Sequence, residues 1–480
     1  MKKYSNMLWS VAWKNVWRNK KRSAIVVIAV TIGMIAGVFT GGLMNGWMQQ
    51  RLDSVVNNEL SEIQVHNPDF SLNDNPIDTI ADAPAVARFL SENKDITGFA
   101  ERLKMTSIAT TARGSTTLML NGIIPVDEKR VSDIHELIME NGGTYFDEPM
   151  QNPIVISNKT AEELRIKTYE INASVLDSLK KLKVKNAVLA KLETLQDQLF
   201  RTEKNFRKAL DAKLTKQESN LCEDKIVNTA ASYKIKSKIV FTYNDLQGGL
   251  VYQTYRVCGI FKTTNTAFDH ANAFVLKSDL ASGAGFSTND AHEFAMRIRK
   301  EANLDNVTGQ VSSKFPELSV QNWVKLSPEA AMMNGFMGIW YFIIMAIILL
   351  ALAFGIINTM LMAILERTKE LGMLMAIGMN RRKIFVMIML ETLFLTAVGA
   401  VIGMFLGWIV ILVTGHTGIN FSAFAKGYEA MGFAAIVYPS IQASFFLMVA
   451  VMVFLTGMLS SIIPARKALK LNPVEATRNE

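Results

Sequence analysis

The sequence predicts an α-helical membrane protein with four transmembrane helices and one large extracytoplasmic α+β domain. Half of its 480 residues are hydrophobic, and the mean hydropathy is positive, at +0.19. The apolar residues are concentrated in four segments, and about 20 apolar residues are enough to cross a bilayer core of about 30 Å. The predicted transmembrane helices are residues 23–47, 335–365, 384–414 and 441–464.

The basic residues predict which side of the membrane each part of the chain occupies. They precede the first apolar segment, lie between the second and third, and follow the fourth: Lys2, Lys3, Lys14, Arg18, Lys20, Lys21, Arg22, Arg367, Lys369, Arg381, Arg382, Lys383, Arg466, Lys467 and Lys470. By the positive-inside rule, residues 366–383 and both termini, including the tail 465–480, are cytoplasmic, whereas residues 48–334 and the loop 415–440 lie outside. Because the net charge of +8 is placed beside the membrane, it argues against nucleic-acid binding.

Residues 1–22 are predicted to form a cytoplasmic amphipathic helix on the membrane surface. Trp9, Trp13 and Trp17 recur every four residues, next to basic side chains. Tryptophan prefers the headgroup level of a bilayer, and basic residues prefer anionic lipid. The alternative is that this segment simply extends the first transmembrane helix.

Glycine repeats predict where the transmembrane helices pack closely. The repeats occur every four residues in the first and third predicted helices: Gly33, Gly37, Gly41, Gly399, Gly403 and Gly407. Small residues on one face let helix backbones approach closely in lipid. We interpret both repeats as packing surfaces and assign them no substrate role.

The extracytoplasmic region, residues 48–334, mixes alternating strand patterns with helical patterns. Its first and last portions, about residues 60–122 and 290–325, predict a β-α-β unit split by a middle subdomain of residues 123–289. Within that subdomain, residues 238–261 contain two alternating runs joined by Asn-Asp-Leu-Gln-Gly-Gly. This arrangement predicts a β-hairpin.

Residues 172–216 are predicted to be a helical insertion in the middle subdomain. No proline or glycine occurs from Ile154 to Gln247, and apolar residues within the insertion recur at spacings of three, four or seven. The pattern predicts either one long helix, about 65–70 Å at about 1.5 Å per residue, or a hairpin bent near residues 202–205. The apolar stripe either packs on its own domain or forms an arm that contacts a second subunit or cargo.

The sequence predicts no catalytic, metal or cofactor site in this chain. The five histidines are scattered without metal-ligand spacing, and no G-x-x-x-x-G-K-[ST] phosphate loop occurs. The two cysteines, Cys222 and Cys258, both fall in the extracytoplasmic region. An oxidising compartment would allow a disulfide between them.

A charged segment, residues 366–383, connects the second and third predicted transmembrane helices. Its pattern predicts a short charged helix, a glycine stop and a return into the membrane. Glu366 and Glu370 lie one helical turn apart on one face, and Arg367 lies on a neighbouring face. The segment is therefore either a compact charged surface with a function or an ordinary solvated loop.

Three sequence runs resemble the FtsX-like, or MacB–LolC/LolE, family of ABC transporter permeases. Residues 366–378, E-R-T-K-E-L-G-M-L-M-A-I-G, resemble the coupling segment of that family. Residues 463–476 resemble its closing P-A-x-x-A-x-x-x-x-P-x-E-A run, and residues 13–22 resemble its N-terminal helix. The resemblance covers the whole layout of one transmembrane helix, a large domain and three further transmembrane helices.

The resemblance implies that this chain binds a separate ABC ATPase and performs no catalysis itself. The residues that it places in or beside the contact are Glu366, Arg367, Glu370, Gly372, Gly378, Arg381 and Arg382. ATP and Mg²⁺ would bind to the partner. The resemblance also implies a second permease copy, identical or related, and a location in the bacterial inner membrane with the large domain in the periplasm.

The resemblance leads to three hypotheses about function. Residues 255–263 are similar to a strand of the lipoprotein-releasing LolC/LolE branch. The first hypothesis is therefore that the chain releases lipoproteins from the inner membrane toward the outer membrane by mechanotransmission. The second is efflux of peptides or antibiotics with a periplasmic adaptor, and the third is FtsX-like activation of a cell-wall hydrolase.

Overall fold

The computed structural model describes residues 2–18, 20–182, 184–196 and 198–469. Its helices are α1 (Lys2–Arg18), α2 (Lys20–Ser54), α3 (Pro68–Asn73), α4 (Ala83–Glu92), α5 (Pro125–Val131), α6 (Asn158–Glu163), α7 (Ala173–Lys181), α8 (Asn186–Glu193), α9 (Glu203–Asp211), α10 (Lys216–Ala230), α11 (Thr266–Ala271), α12 (Lys277–Ala284), α13 (Leu304–Lys314), α14 (Trp323–Leu326), α15 (Pro328–Glu366), α16 (Thr368–Ala376), α17 (Arg381–Thr417), α18 (Ala425–Ala430) and α19 (Ala443–Leu469). Its strands are β1 (Ile63–His66), β2 (Ile96–Thr111), β3 (Gly114–Ile123), β4 (Ile138–Gly143), β5 (Pro153–Ser157), β6 (Lys167–Tyr169), β7 (Ala231–Tyr233), β8 (Lys238–Asn244), β9 (Leu250–Phe261), β10 (Asn272–Leu276), β11 (Glu293–Ile298), β12 (Ser319–Asn322), β13 (Ile419–Asn420) and β14 (Ile436–Val437).

The chain separates into two compact units. The helical unit comprises the described parts of Met1–Gln50, Met332–Ala425 and Ala434–Glu480. The mixed unit comprises Arg51–Ala331 and Lys426–Phe433, and it begins with a π-helical segment, Val55–Leu60, that follows α2. Residues 470–480, which include the end of the predicted tail, lie outside the described residues.

Four helices in the described part of the chain are long and apolar enough to cross a membrane. They are Lys20–Leu60, Pro328–Glu366, Arg381–Thr417 and Ala443–Leu469. Each overlaps one predicted transmembrane helix, which supports the predicted multi-pass membrane class. The helices run beyond the predicted ends because backbone hydrogen bonding continues past the apolar residues. The last helix continues past Pro464, where the prediction ended, and it does so although proline removes one helical hydrogen bond.

The N-terminal helix α1 packs against α17. Ala12 and Val16 are buried, and Trp9 and Trp13 contact the ring of Phe394 edge-on at centroid distances of 5.4 and 5.3 Å. α1 therefore buries one of its faces against α17.

The mixed unit contains a closed ring of six strands. Backbone pairing runs β2–β3–β10–β5–β9–β8 and returns from β8 to β2. The predicted hairpin within residues 238–261 is confirmed as β8 and β9. Alternate side chains of each strand point into the ring, where Leu120, Ile154, Phe241 and Tyr255 form part of one core.

Strand β2 is shared between two sheets, which corrects the predicted division of this region. Its first part pairs with β11, and β11 in turn pairs with β1, which pairs with β12. Its second part pairs with β3 in the ring. The predicted β-α-β portion, residues 60–122, therefore contributes its last strands to the middle subdomain. A strand of 16 residues is long enough to serve both sheets.

The predicted insertion, residues 172–216, is neither one long helix nor a helical hairpin. It forms the short helices α7 to α10, which continue to Ala230 and are joined to the ring by the strand pair β6–β7. The side chains of Asn172, Thr202 and Thr215 accept backbone hydrogen bonds and start α7, α9 and α10. N-caps of this kind begin new helices and so divide the long apolar pattern into short ones.

The apolar stripe of this insertion packs on itself. Leu179, Leu192, Phe206 and Leu210 are fully buried in one core, which is separate from the core of the ring. The alternative in which the stripe packs within its own domain is therefore confirmed, and these side chains are not available to form an apolar contact arm.

Candidate functional site between α15 and α17

Residues 366–383 form a short helix between two membrane-length helices. α15 ends at Glu366, and Arg367 leaves the helical conformation with φ −103° and ψ 17° before α16 begins. Asn380 starts α17, and its side chain accepts a hydrogen bond from the backbone N–H of Arg382 at 3.1 Å. The predicted order of short helix, glycine stop and second long helix is confirmed.

Gly378 ends the segment that contains α16. Its φ is +96°, a backbone conformation that residues other than glycine rarely adopt. Its N–H donates to the Met375 carbonyl at 3.1 Å, and the Met379 N–H donates to the Leu374 carbonyl at 3.0 Å. A Cβ at this position would meet no atom within 4 Å, so the backbone conformation, and not space, favours glycine here.

The two carboxylates of the segment are paired with the N-terminal part of the chain. Arg22 donates to Glu366, and Arg18 donates to both carboxylate oxygens of Glu370. Arg367 also donates to Glu370, at 3.0 Å. The hydrogen bond from Arg18, followed by that from Arg367, lowers the pKa of the Glu370 carboxyl. These charges therefore hold α15 and α16 beside α1 and the start of α2.

Arg367 has a second acidic partner, which sequence reasoning missed. Its guanidinium donates to both oxygens of Glu391 in α17, at 3.1 and 3.2 Å. The side chain of Glu391 is only 10% exposed. The signal was present in the sequence, because Glu391 is the one charged residue of the predicted transmembrane helix 384–414. An ionisable residue within a transmembrane helix is costly and usually has a partner.

The outward face of α16 is mainly apolar. Met373 is 57% exposed, and Lys369 is exposed one turn before it. Ile377, the residue that directly follows α16, is 79% exposed. Gly372 and Leu371 are buried and face the rest of the helical unit. α16 thus presents exposed apolar side chains on one face while its acidic residue Glu370 is paired within the chain.

Arg381 and Arg382 lie at the start of α17, and both are exposed. The predicted site residues are therefore divided among three environments. Glu366, Arg367 and Glu370 are engaged by partners within the chain, Gly372 is buried, and the remaining residues lie on the exposed turn.

The glycine repeat of α17 lies against α2. A Cβ on Gly399 would be 2.7 Å from the Val30 Cβ, and one on Gly403 would be 2.6 Å from the Met34 Cβ. The same atom on Gly407 would be 3.1 Å from Val38. The distances at Gly399 and Gly403 are under 3 Å and leave no room for a side chain, so the backbone of α17 lies directly against α2 at these two positions.

The glycine repeat of α2 faces α15 and α19. A Cβ on Gly41 would be 2.1 Å from the Phe445 ring, and one on Gly37 would be 3.0 Å from the Met345 sulfur. At Gly33 the nearest atom would be 3.5 Å away, on Leu352. The two repeats thus occupy different interfaces of the same helical unit.

The two cysteines are free thiols, so the disulfide that the sequence allowed is not formed. Cys258 is buried in β9, beside Val155 and Phe274, whereas Cys222 packs at the edge of the separate core of the α7–α10 insertion. Among the described residues, no group of three or more His, Cys, Asp or Glu side chains could hold a metal ion.

The mixed unit contains a buried charge cluster that sequence reasoning also missed. Arg102 donates to Glu128 at 2.6 and 3.0 Å and to Glu293 at 2.6 Å, and Lys104 pairs with Glu293. These neighbouring cations lower the pKa of Glu293 to about 2, against the opposing effect of its complete burial. Because Arg102, Lys104, Glu128 and Glu293 are paired with one another, the cluster ties α5 and β11 to β2.

The part of the chain that contains this site is similar to known protein sequences. Residues 342–473, which contain α16 and both partners of the Arg367–Glu391 pair, match the FtsX family, described as FtsX-like permease C-terminal. An uncharacterised ABC transporter permease of Methanocaldococcus jannaschii is 28% identical over 234 residues, which cover 47% of this chain and 55% of that protein. The macrolide export ATP-binding/permease protein MacB of Brucella abortus is 26% identical over 201 residues, which cover 41% of this chain and 28% of that protein. The chain thus spans about half or less of the length of these curated relatives.

Among solved structures, the periplasmic region of MacB from Actinobacillus actinomycetemcomitans aligns with a TM-score of 0.30 and 9% identity, covering 60% of this chain and 94% of that region. The sequence matches confirm the FtsX-like and MacB-type part of the predicted resemblance. They do not specifically support the LolC/LolE branch.

Proposed function

We propose that this chain is the membrane subunit of an ABC transporter and that the exposed face of α16 binds a separate ATPase. The chain would pass ATP-driven movement to its extracytoplasmic domain, which would expel cargo on the far side of the membrane. The observation that carries this proposal is a short helix, α16, held between two membrane-length helices with its apolar face exposed.

The geometry changes which residues are the best candidates for the ATPase contact. Met373 and Ile377 are one helical turn apart, and both side chains are more than half exposed. Apolar side chains at this level of exposure bury substantial area when they enter a pocket of a partner. The carboxylates of Glu366 and Glu370, in contrast, are engaged by arginines of the same chain. We therefore assign the contact mainly to the apolar face and assign those carboxylates mainly to holding α16 in place.

The test is co-purification of the ATPase with a tagged chain that carries Ile377→Asp. Placing a carboxylate in an apolar pocket should weaken association at least about tenfold, since hot-spot residues contribute about 2 kcal/mol or more. The matched control is Ile77→Asp, because Ile77 is 64% exposed in the mixed unit. The control should retain normal association, and both variants should reach the membrane in normal amounts. Unchanged co-purification of Ile377→Asp would refute the assignment.

Two classes of cargo are consistent with this role. Residues 255–263 cover the second half of β9 and the two residues after it, and their resemblance to the LolC/LolE branch supports release of lipoproteins toward an outer membrane. The similarity to MacB, which is named for macrolide export, supports efflux of small amphiphilic molecules. Depletion of the chain separates the two classes: lipoproteins stranded in the inner membrane would support the first, and drug hypersensitivity with normal lipoprotein sorting would support the second.

A further inference from the structure

We infer that the N-terminal helix α1 is a working part of the coupling apparatus, in which Arg18 and Arg22 are positioning residues that make α1 and α16 move together. This inference rests on the proposed function, because it concerns how movement that enters at α16 reaches the membrane helices. It extends that function to a helix that would otherwise be only a surface anchor.

α1 contacts α16 through charged side chains. Arg18 is the last residue of α1, and it donates to both oxygens of Glu370, the acidic residue of α16. Arg22, in the first turn of α2, donates to Glu366 at the end of α15. Two guanidinium–carboxylate pairs therefore join the N-terminal segment to both sides of the break at Arg367. Charge-assisted hydrogen bonds of this kind are shorter and stronger than hydrogen bonds between neutral groups.

α1 also contacts α17. Trp9 and Trp13 hold Phe394 of α17 between them, and Ala12 and Val16 are buried along the same helix. α1 therefore touches α16 through charges at one end and α17 through aromatic packing along its length. A displacement of α16 would reach α17 through α1 as well as through the direct Arg367–Glu391 pair.

The charged pairs surround a cavity between these helices. A cavity of about 260 Å³ is lined by the three arginines and the three glutamates of this network, with Asn15, Ser23, Met360 and Leu395 completing its wall. Its six charges balance in number, so no unpaired charge faces the cavity. Because the pairs surround a cavity and do not lie in a closely packed core, their charged side chains can shift without displacing packed neighbours.

The exposure of the Arg18–Glu370 pair favours a positioning role over a stabilising one. The two side chains are 55% and 47% exposed. Exposed pairs of this kind contribute little to stability because water screens them and their side chains lose freedom. Together with the Arg22–Glu366 pair, it biases the position of α16 relative to α1.

The experiment uses the full chain reconstituted with the ABC ATPase that co-purifies with it, and measures the stimulation of ATP hydrolysis by the chain. Arg18→Glu should lower this stimulation about fivefold, while ATPase association remains normal. The double variant Arg18→Glu with Glu370→Arg restores the pair in reverse and should recover most of the stimulation. Arg18→Lys, which retains the charge, should behave nearly as the unmodified chain. The matched control is Lys14→Glu, which makes the same charge change at an exposed position of α1 and should have no effect.

The experiment distinguishes failure of this inference from failure of the proposed function. If no ATPase associates with the unmodified chain, the proposed function fails before α1 is tested. If the ATPase associates and Arg18→Glu leaves the stimulation unchanged, the role of α1 is refuted. The role is also refuted if the reversed pair does not recover stimulation, or if Lys14→Glu lowers it as much as Arg18→Glu does.

Discussion

Substitution of Phe206 by alanine should unfold the α7–α10 insertion while the rest of the mixed unit stays folded. Phe206 is fully buried in the core of this insertion. Its ring stacks on Tyr169 at a centroid distance of 5.4 Å and contacts Phe200 at 5.2 Å. The core of the six-stranded ring is composed of other residues, so the loss should remain local.

The magnitude follows from the burial and from the two aromatic contacts. Removal of a fully buried phenylalanine costs about 3–5 kcal/mol, because it loses transfer free energy and leaves a cavity. Each 1.4 kcal/mol changes an equilibrium tenfold, so the population of the opened insertion should rise by about two to three and a half orders of magnitude. A small insertion buries little apolar surface, so its free energy of unfolding is small.

Limited trypsin digestion of the purified chain measures this change. The insertion is rich in lysine and arginine, among them the exposed Lys180, Lys204 and Lys213. Cleavage at these sites follows the population of the opened form when reclosing is fast relative to cleavage. Mass spectrometry of the fragments locates each cut. Cleavage within residues 172–230 should accelerate at least about a hundredfold, while cleavage elsewhere in the mixed unit should not change.

The control is Leu221→Ala in the same insertion, because Leu221 is 69% exposed and its truncation should cost little. Equal acceleration of cleavage in both variants would mean that Phe206 is not part of a buried core. Acceleration of less than tenfold in Phe206→Ala would refute the separate core and would favour the extended arm that the sequence had also allowed.

Two further predictions concern titratable groups of the mixed unit. Burial raises the pKa of Asp269 to about 6, so the folded state keeps a proton that the unfolded chain releases from about pH 4, and stability falls as the pH rises from about 4 to about 6. Asp269→Asn keeps an oxygen that can accept a hydrogen bond from Thr263, and it should remove this loss of stability, which is worth about 2–3 kcal/mol at most. Thermal unfolding of the unmodified and variant chains at pH 4.5 and 7 measures the difference. If the stability of both chains changed with pH in the same way, the prediction would be contradicted. Burial also raises the pKa of Cys258 to about 11, so a maleimide at pH 7 should label Cys222 first and Cys258 only after denaturation, and labelling that needs prior reduction would instead reveal a disulfide.

Local patterns in the sequence predicted most elements of this protein because the information for them is local. The apolar segments are long enough to identify the four membrane-length helices without knowledge of any contact. The alternating runs and the glycine-rich turn within residues 238–261 likewise predicted β8 and β9. At the candidate site, the short helix and its stop at Gly378 followed from residues that are adjacent in the chain.

The sequence by itself therefore determined the membrane class, the existence of a large mixed domain and the short helix between two long ones. Only the tertiary structure decided what the charged residues of that helix do, because their partners are distant in the chain: Arg18 and Glu370 are 352 positions apart. It also decided that the insertion folds into four short helices, since N-caps and a common core, and not periodicity, determine where one helix ends and the next begins. The same physical reason explains why β2 could serve two sheets: the pairing of strands depends on partners that the local pattern does not specify.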